Sequence, residues 1–241
     1  MSNHSRTKRQ PTDNFRYQYD QPKPDYRQYD KPVALTDNHR RYHSLLKNPA
    51  KKIVIASGYA GVGKTRVAAY YASQALIAGK VKSIILVRSL EGVGKSPGAY
   101  PGSDTEKNEP KLRQLLKYIA SDMNQDTDTL VLTKQVVICG LFDIQGSDFS
   151  DSYVIVTEAQ TITKEEMYIL LTRGAYKIVL EGDTLAKGQC VNRSIKFGDD
   201  GLSYLFNKIG DMEFVGQVKL DNKEDIVRND YIKDIIIRFS E

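Results

Sequence analysis

Short runs of aliphatic residues alternate with amphipathic stretches over most of the chain. Apolar runs of five to eight residues bounded by turn-forming residues predict buried strands, here at residues 51–57, 83–88, 135–139, 153–157, 176–181 and 213–220. Helical periodicity and capping residues predict helices at residues 37–47, 65–78, 110–121, 163–174, 201–209 and 225–239, and residues 235–237 would equally suit a strand. Apolar strands that alternate with helices are typical of an α/β fold with a mostly parallel sheet covered on both faces.

Residues 1–33 have a different texture and are predicted to form a flexible tail, followed by one domain over residues 34–241. Four of the eight prolines lie in this segment, and aliphatic residues are almost absent from it. A pentapeptide beginning at Gln18 recurs, with one substitution, at Gln28. The segment is either a solvated linker or an arm whose tyrosines and basic residues contact nucleic acid or a protein groove.

The net charge of +5 is concentrated near the N-terminus. Residues 1–41 contain nine Lys and Arg against five Asp, whereas the remaining residues contain 26 basic and 25 acidic side chains. A nearly neutral domain argues against a broad surface that coats nucleic acid. No apolar run approaches the roughly 18 residues of a membrane span, and the first residues lack a signal-peptide pattern, so a cytoplasmic protein without membrane contact is expected.

A glycine-rich segment between the first predicted strand and the next helix fits the phosphate-loop pattern G-x-x-x-x-G-K-[ST] at every position. It consists of Gly58, Tyr59, Ala60, Gly61, Val62, Gly63, Lys64 and Thr65. Such a loop directs successive backbone N–H groups at phosphate oxygens, and the following helix adds the positive end of its dipole. Lys64 is predicted to contact the β- and γ-phosphates of ATP, and the Thr65 hydroxyl to bind Mg²⁺.

A second strand, at residues 153–157, ends in Thr157 and Glu158. Nucleotide hydrolases of this kind carry an acidic residue at such a strand end to orient water against the γ-phosphate. Glu158 is therefore the predicted catalytic carboxylate. The alternative interpretation is a solvated carboxylate that merely ends the strand.

From about residue 35 to 236 the sequence resembles the PhoH-like family of RecA-like P-loop ATPases. The resemblance rests on the phosphate loop and on six further segments: Val87-Arg88 with the loop that follows, Thr157-Glu158-Ala159-Gln160, Leu171-Thr172-Arg173-Gly174, Gly182-Asp183, Gly201-Leu202 and Val227-Arg228. It implies an ATPase, and it assigns Arg228 a catalytic role in sensing the γ-phosphate. Small members of the family are frequent in phages, so a phage source and the cytoplasm of a host are expected.

The sequence departs from the family pattern at polar positions. The aspartate expected in the magnesium shell is Thr157, whose hydroxyl could contact a metal-bound water but carries no charge. A glutamine that could contact the adenine is replaced by His39 after Asn38, so these two residues are the candidates for base binding. Nucleotide binding is expected to persist, and these departures are expected to affect turnover and base selectivity.

The functional expectation is an ATP-binding protein that hydrolyses ATP to ADP and phosphate with Mg²⁺. The energy would move or remodel bound single-stranded RNA or DNA. One such domain lacks the two-sided cleft of a helicase, so a homo-oligomer is expected. The competing hypothesis is a degenerate nucleotide-binding scaffold, or a factor that takes over host processes, with little turnover; Thr157 is its main support.

Overall fold

A six-stranded sheet forms the centre of the protein, and its strands were largely predicted. The computed structural model describes residues 29–88, 104–144, 147–183 and 200–240. The strands are β1 (Ile53–Gly58), β2 (Ser83–Arg88), β3 (Val136–Gly140), β4 (Ser152–Thr157), β5 (Lys177–Gly182) and β6 (Val215–Leu220). Their order is β3-β2-β4-β5-β1-β6, and every neighbouring pair is parallel. The sheet in the described ranges is therefore parallel throughout.

Helices cover both faces of the sheet, as predicted. They are α1 (Asp37–Lys47), α2 (Lys64–Ile77), α3 (Asp104–Met123), α4 (Thr127–Leu132), α5 (Lys164–Leu171), α6 (Gly201–Lys208) and α7 (Asp230–Ser240). One core layer joins α1, α2, α3 and α4 to the first face, and a second layer joins α5 and α6 to the opposite face. None of the helices in the described ranges is long and apolar enough to cross a membrane.

Several element boundaries differ from the predictions. Helix α3 begins at Asp104, six residues before its predicted start at Pro110, and the short helix α4 was not predicted. Helix α7 begins at Asp230 rather than at residue 225, because residues 223–225 form a separate 3₁₀ turn. The Thr163–Glu166 capping box at the start of α5 is confirmed, with both reciprocal hydrogen bonds present. The predicted tail lies outside the described residues as far as residue 28.

The carboxyl ends of β1, β4 and β5 meet at the same edge of the sheet. Strand β5 lies between β4 and β1, with Val156 opposite Leu180 on one side and Ala56 opposite Glu181 on the other. Ligands of parallel α/β sheets bind at this edge, beyond the carboxyl ends of the strands. The predicted phosphate loop and the predicted acidic strand end are therefore brought together.

Candidate active site

The loop from Gly58 to Gly63 connects β1 to α2 and depends on its glycines. Gly61 and Gly63 have φ angles of +81° and +80°, which side chains other than glycine adopt at a cost. A Cβ atom on Gly58 would lie 2.3 Å from the carbonyl oxygen of Leu220 on the neighbouring strand β6. The sequence pattern thus reflects both the backbone conformation and the close packing of the loop against the sheet.

Lys64 opens helix α2 and folds its ammonium group back over the loop. Its Nζ atom donates hydrogen bonds to the carbonyl oxygens of Gly58 at 2.7 Å and Tyr59 at 2.9 Å. Burial lowers the pKa of Lys64, and the negative charges of Glu181, Asp183 and Glu158 oppose that shift. The ammonium group is therefore held inside the loop with three carboxylates near it.

Glu181, near the end of β5, is a buried carboxylate that the sequence analysis did not single out. Its Oε2 atom accepts a hydrogen bond from Thr65 Oγ1 at 2.8 Å, and its Oε1 atom accepts one from Tyr42 at 3.0 Å. The side chain is only 2% exposed. Burial raises its pKa to about 7, although the hydrogen bond from Thr65, the charge of Lys64 and the hydrogen bond from Tyr42 counteract the increase.

Glu158 follows β4 in the left-handed region, with a φ of +55°. Such a conformation in a residue other than glycine costs about 1 kcal/mol or more and is often found at functional sites. Its carboxylate accepts a hydrogen bond from Gln160 Nε2 at 2.8 Å, and the same amide group accepts one from the backbone N–H of Asp183 at 3.2 Å. Gln160 therefore links the ends of β4 and β5 and orients Glu158.

A cavity of about 80 Å³ lies between these groups. It is lined by Ala60, Lys64, Thr65, Thr157, Glu158, Glu181, Gly182 and Asp183. Thr157 is 8% exposed, and its hydroxyl group has no hydrogen-bond partner among the described residues. A buried hydroxyl without a partner is costly, so the cavity needs a polar occupant beside Thr157.

The donors around this cavity fit a magnesium ion that arrives with a nucleotide. Within the described ranges no three or more His, Cys, Asp or Glu side chains are grouped so as to hold a metal ion. Magnesium usually keeps several waters and uses one or two carboxylates together with substrate phosphates. The Thr65 and Thr157 hydroxyls and the neighbouring carboxylates suit that mode of binding.

The outer side of the phosphate loop is held by segments from distant parts of the chain. His39 on α1 contacts the carbonyl oxygen of Val62 through Nε2 at 3.0 Å, and the backbone N–H of Val227 donates to the carbonyl oxygen of Gly61 at 2.9 Å. The two segments are joined by Asp225, which is fully buried and accepts a hydrogen bond from Asn38 Nδ2 at 2.8 Å. We call these three contacts the loop clamp.

Replacement of Asp225 by alanine is expected to destabilise the domain. Besides Asn38, the carboxylate accepts hydrogen bonds from Thr36 Oγ1 at 2.5 Å and from the backbone N–H of Asn222 at 3.1 Å. Two half-buried donors, Thr36 and Asn38, and the exposed Asn222 would lose their shared buried partner, so we expect the free energy of unfolding to fall by about 2–3 kcal/mol in urea denaturation. The exposed Asp211→Ala variant is the control and should leave stability within about 0.5 kcal/mol. An equal effect of both substitutions would show that the clamp does not stabilise the fold.

A second, larger cavity of about 360 Å³ lies beside the loop clamp. It is lined by Pro32, Val33, Leu35, His39, Gly61, Val62, Gly63, Arg66, Val67, Tyr118, Val227 and Arg228. The Arg228 side chain packs directly over Gly61, where a Cβ atom would meet it at 3.0 Å. Arg66 forms a bidentate ion pair with Asp122, and both N–O distances are 2.7 Å. The cavity is thus mainly apolar, with two guanidinium groups at its wall.

The first described residues pack beside the same cavity. Tyr29 contacts Tyr118 edge to face, with ring centroids 4.8 Å apart, and its hydroxyl accepts a hydrogen bond from Gln114 at 3.1 Å. Arg66 also donates to the carbonyl oxygens of Tyr29 at 3.2 Å and Asp30 at 3.0 Å. The second copy of the pentapeptide repeat therefore contacts helices α2 and α3.

The structure gathers most of the predicted site residues but separates some of them. Lys64, Thr65, Thr157 and Glu158 line the small cavity, whereas His39 and Arg228 line the larger one. The side chain of Asn38 is engaged by Asp225. The sequence analysis missed Glu181, Tyr42 and Arg66. Glu181 alone carried a signal, because it is a charged residue that directly follows the apolar run of β5.

The first strand of this parallel α/β sheet leads through a glycine-rich loop into a helix that begins with Lys-Thr. This arrangement defines a P-loop NTPase. Carboxylates from the neighbouring strand ends lie beside that loop, as this class of protein requires. Comparison with known proteins agrees. A model of the PhoH-like protein family matches residues 33–240. The chain belongs to this family.

Curated relatives share this similarity over most of the chain. A PhoH-like protein of Bacillus subtilis (strain 168) is 33% identical over 181 residues, which are 70% of this chain and 56% of the relative. Protein PhoH of Escherichia coli (strain K12) is 29% identical over 209 residues, which are 83% of this chain and 56% of the relative. A PhoH-like protein of Mycobacterium leprae (strain TN) is 33% identical over 151 residues, 61% of this chain and 43% of the relative. The chain thus spans about half the length of these relatives.

Proposed function

We propose that the protein binds ATP with Mg²⁺ at the phosphate loop and hydrolyses it to ADP and phosphate. One observation carries the proposal: Lys64, Thr65 and Glu158 line a single cavity at the sheet edge, where an unpartnered Thr157 hydroxyl also lies. Lys64 would exchange its carbonyl partners for the β- and γ-phosphates. Bound Mg²⁺ would neutralise phosphate charge beside Thr65.

Glu158 is proposed to orient the attacking water and accept its proton. Its carboxylate already has a fixed partner in Gln160, which leaves the side chain directed at the cavity rather than into solvent. Positioning and electrostatics provide nearly all of the catalysis in phosphoryl transfer, so a carboxylate held in place in this way is a suitable catalytic group.

The base of the nucleotide is proposed to lie in the larger cavity beside the loop clamp. His39 and Arg228 would contact it there, and Asn38 would act indirectly through Asp225. The apolar lining and the guanidinium groups are suited to the face of a purine ring. Arg228 is close enough to the loop at Gly61 to remain a candidate for sensing bound phosphates.

An assay of phosphate release distinguishes an ATPase from a protein that only binds ATP. Phosphate release by the purified chain should require Mg²⁺ and rise when single-stranded RNA or DNA is added. The alternative function, a nucleotide-binding scaffold with little turnover, is favoured by Thr157 at the end of β4. Tight ATP binding without phosphate release under any of these conditions would support that alternative and contradict the ATPase proposal.

We further propose that residues 1–28 add non-specific affinity for single-stranded nucleic acid, and that the active form is a homo-oligomer. The segment is rich in basic and aromatic residues, and Tyr29, which directly follows it, lies beside the larger cavity. Deletion of residues 2–28 keeps the docked segment from Tyr29 onward. It should weaken RNA binding and reduce the slope of log affinity against log salt, as measured by fluorescence anisotropy.

The control for this deletion replaces the basic residues of the same segment by serine and leaves its length unchanged. If the affinity is due to charge, the slope of log affinity against log salt should fall by the same amount in both variants. A deletion variant with the parent's affinity and salt slope would show that the segment has another role. The proposed homo-oligomer is tested separately. Light scattering gives the molar mass of the protein in solution with and without nucleotide.

A further inference from the structure

The ends of the neighbouring strands β4 and β5 differ from expectation in charge: β4 ends in an uncharged threonine, and β5 carries a buried glutamate. Thr157 ends β4 at the position where a charged residue of the magnesium shell was expected. Since Val156 is opposite Leu180, the next residues along the two strands, Thr157 and Glu181, lie side by side. Alternation along the strands places both on the face covered by α1 and α2. The carboxylate missing from β4 is thus matched by one on β5.

Glu181 is placed directly behind the phosphate loop. It is opposite Ala56 of β1, two residues before Gly58, and its Oε2 atom accepts the hydrogen bond from the Thr65 hydroxyl at 2.8 Å. The Tyr42 hydroxyl fixes the other carboxylate oxygen. A carboxylate that is 2% exposed is costly to bury, and between it and Lys177 at the other end of β5 the strand is apolar, so its presence indicates a specific role.

The orphaned Thr157 hydroxyl provides the second observation. It borders the same small cavity as Glu181 and has no partner among the described residues. A volume of about 80 Å³ has room for two or three waters at roughly 30 Å³ each. Glu181 and the Thr65 and Thr157 hydroxyls thus form one side of a polar cavity that Lys64, Glu158 and Asp183 also line.

We propose that Glu181 is the metal-positioning carboxylate of this protein and replaces the acidic residue absent from position 157. The inference rests on the proposed binding of ATP with Mg²⁺. Glu181 would act through Thr65 and through water in the cavity, with Tyr42 holding it in orientation. Thr157 would contribute its hydroxyl to the same water. This arrangement keeps one carboxylate at these two paired strand positions, on β5 instead of β4.

The test measures how strongly Mg²⁺ improves ATP binding. Calorimetry gives the ratio of ATP affinity in Mg²⁺ to ATP affinity in EDTA. Glu181→Gln keeps size and hydrogen-bonding capacity but removes the charge, and we expect it to lower that ratio about tenfold or more. A role confined to anchoring the loop would instead change the affinity in Mg²⁺ and in EDTA equally, so an unchanged ratio would overturn the proposal.

A charge swap is the matched variant. The double substitution Thr157→Asp with Glu181→Thr returns the carboxylate to β4 and should recover most of the ratio lost in Glu181→Gln. Thr157→Asp alone would set two carboxylates side by side, which is unfavourable. Failure of the swap to recover any of the ratio would contradict a simple relocation of charge. If Glu181→Gln does not unfold cooperatively, Tyr42→Phe is tested instead. It removes the hydrogen bond that orients Glu181, and we expect the ratio to fall about threefold; an unchanged ratio would overturn the proposal. A parent protein that does not bind ATP at all refutes the proposed function itself.

Discussion

Lys64→Ala is expected to bind ATP at least ~100-fold more weakly than the parent. Two effects add together. The substitution removes the ammonium group that would meet the phosphates, and it leaves Glu158, Glu181 and Asp183 without the positive charge among them. The cavity would then repel the nucleotide's own negative charge.

Isothermal titration calorimetry with Mg²⁺ present measures this effect directly. Lys80→Ala is the matched control, because Lys80 is exposed beyond the end of α2 and away from the loop. It should bind ATP as the parent does. Circular dichroism establishes that both variants fold. If Lys64→Ala binds ATP with the affinity of the parent, the phosphate loop is not the ATP-binding site.

Glu158→Gln is expected to retain ATP and to lose turnover by on the order of 10²-fold or more. The amide keeps the size of the side chain and can still contact Gln160, but it cannot accept a proton from water. Because the affinity for ATP depends on the loop rather than on Glu158, binding and turnover should separate. Single-turnover phosphate release, compared with ATP affinity for the same preparation, checks both parts.

Glu165→Gln serves as the control for this substitution. Glu165 is exposed in the first turn of α5 and lies outside the residues that line the small cavity. Its variant should hydrolyse ATP at the parental rate. If Glu158→Gln turns over ATP as fast as the parent, the catalytic carboxylate is a different residue, and Asp183 becomes the next to be tested.

The fold was predictable because its signals are local. Apolar runs located all six strands to within a few residues, and the capping box of Thr163 and Glu166 located the start of α5. Helix α7 was misplaced because Asp225, which resembles a helix-starting residue, is used instead to hold Asn38 and Thr36. A side chain's distant partner is not visible in the pattern around it.

The site was only partly predictable for the same reason. The phosphate loop is a contiguous motif, so sequence spacing identified Lys64 and Thr65 directly. Glu181 became meaningful only through the strand order, which places β5 between β1 and β4 and brings its end behind Thr65. Hydrophobic patterns predict that strands exist but do not state which strands are neighbours. The contribution of Tyr42 depends on that order as well.

The loop clamp has a consequence for the order in which the protein can fold during synthesis. Strand β1 is made early, yet both of its neighbours in the sheet, β5 and β6, emerge from the ribosome more than 100 residues later. The phosphate loop gains its contact with Val227 later still. Contacts of such long sequence separation form slowly, since a large loop must close first. A nascent chain that stops before residue 227 would therefore carry the complete nucleotide motif without the enclosure that shapes it.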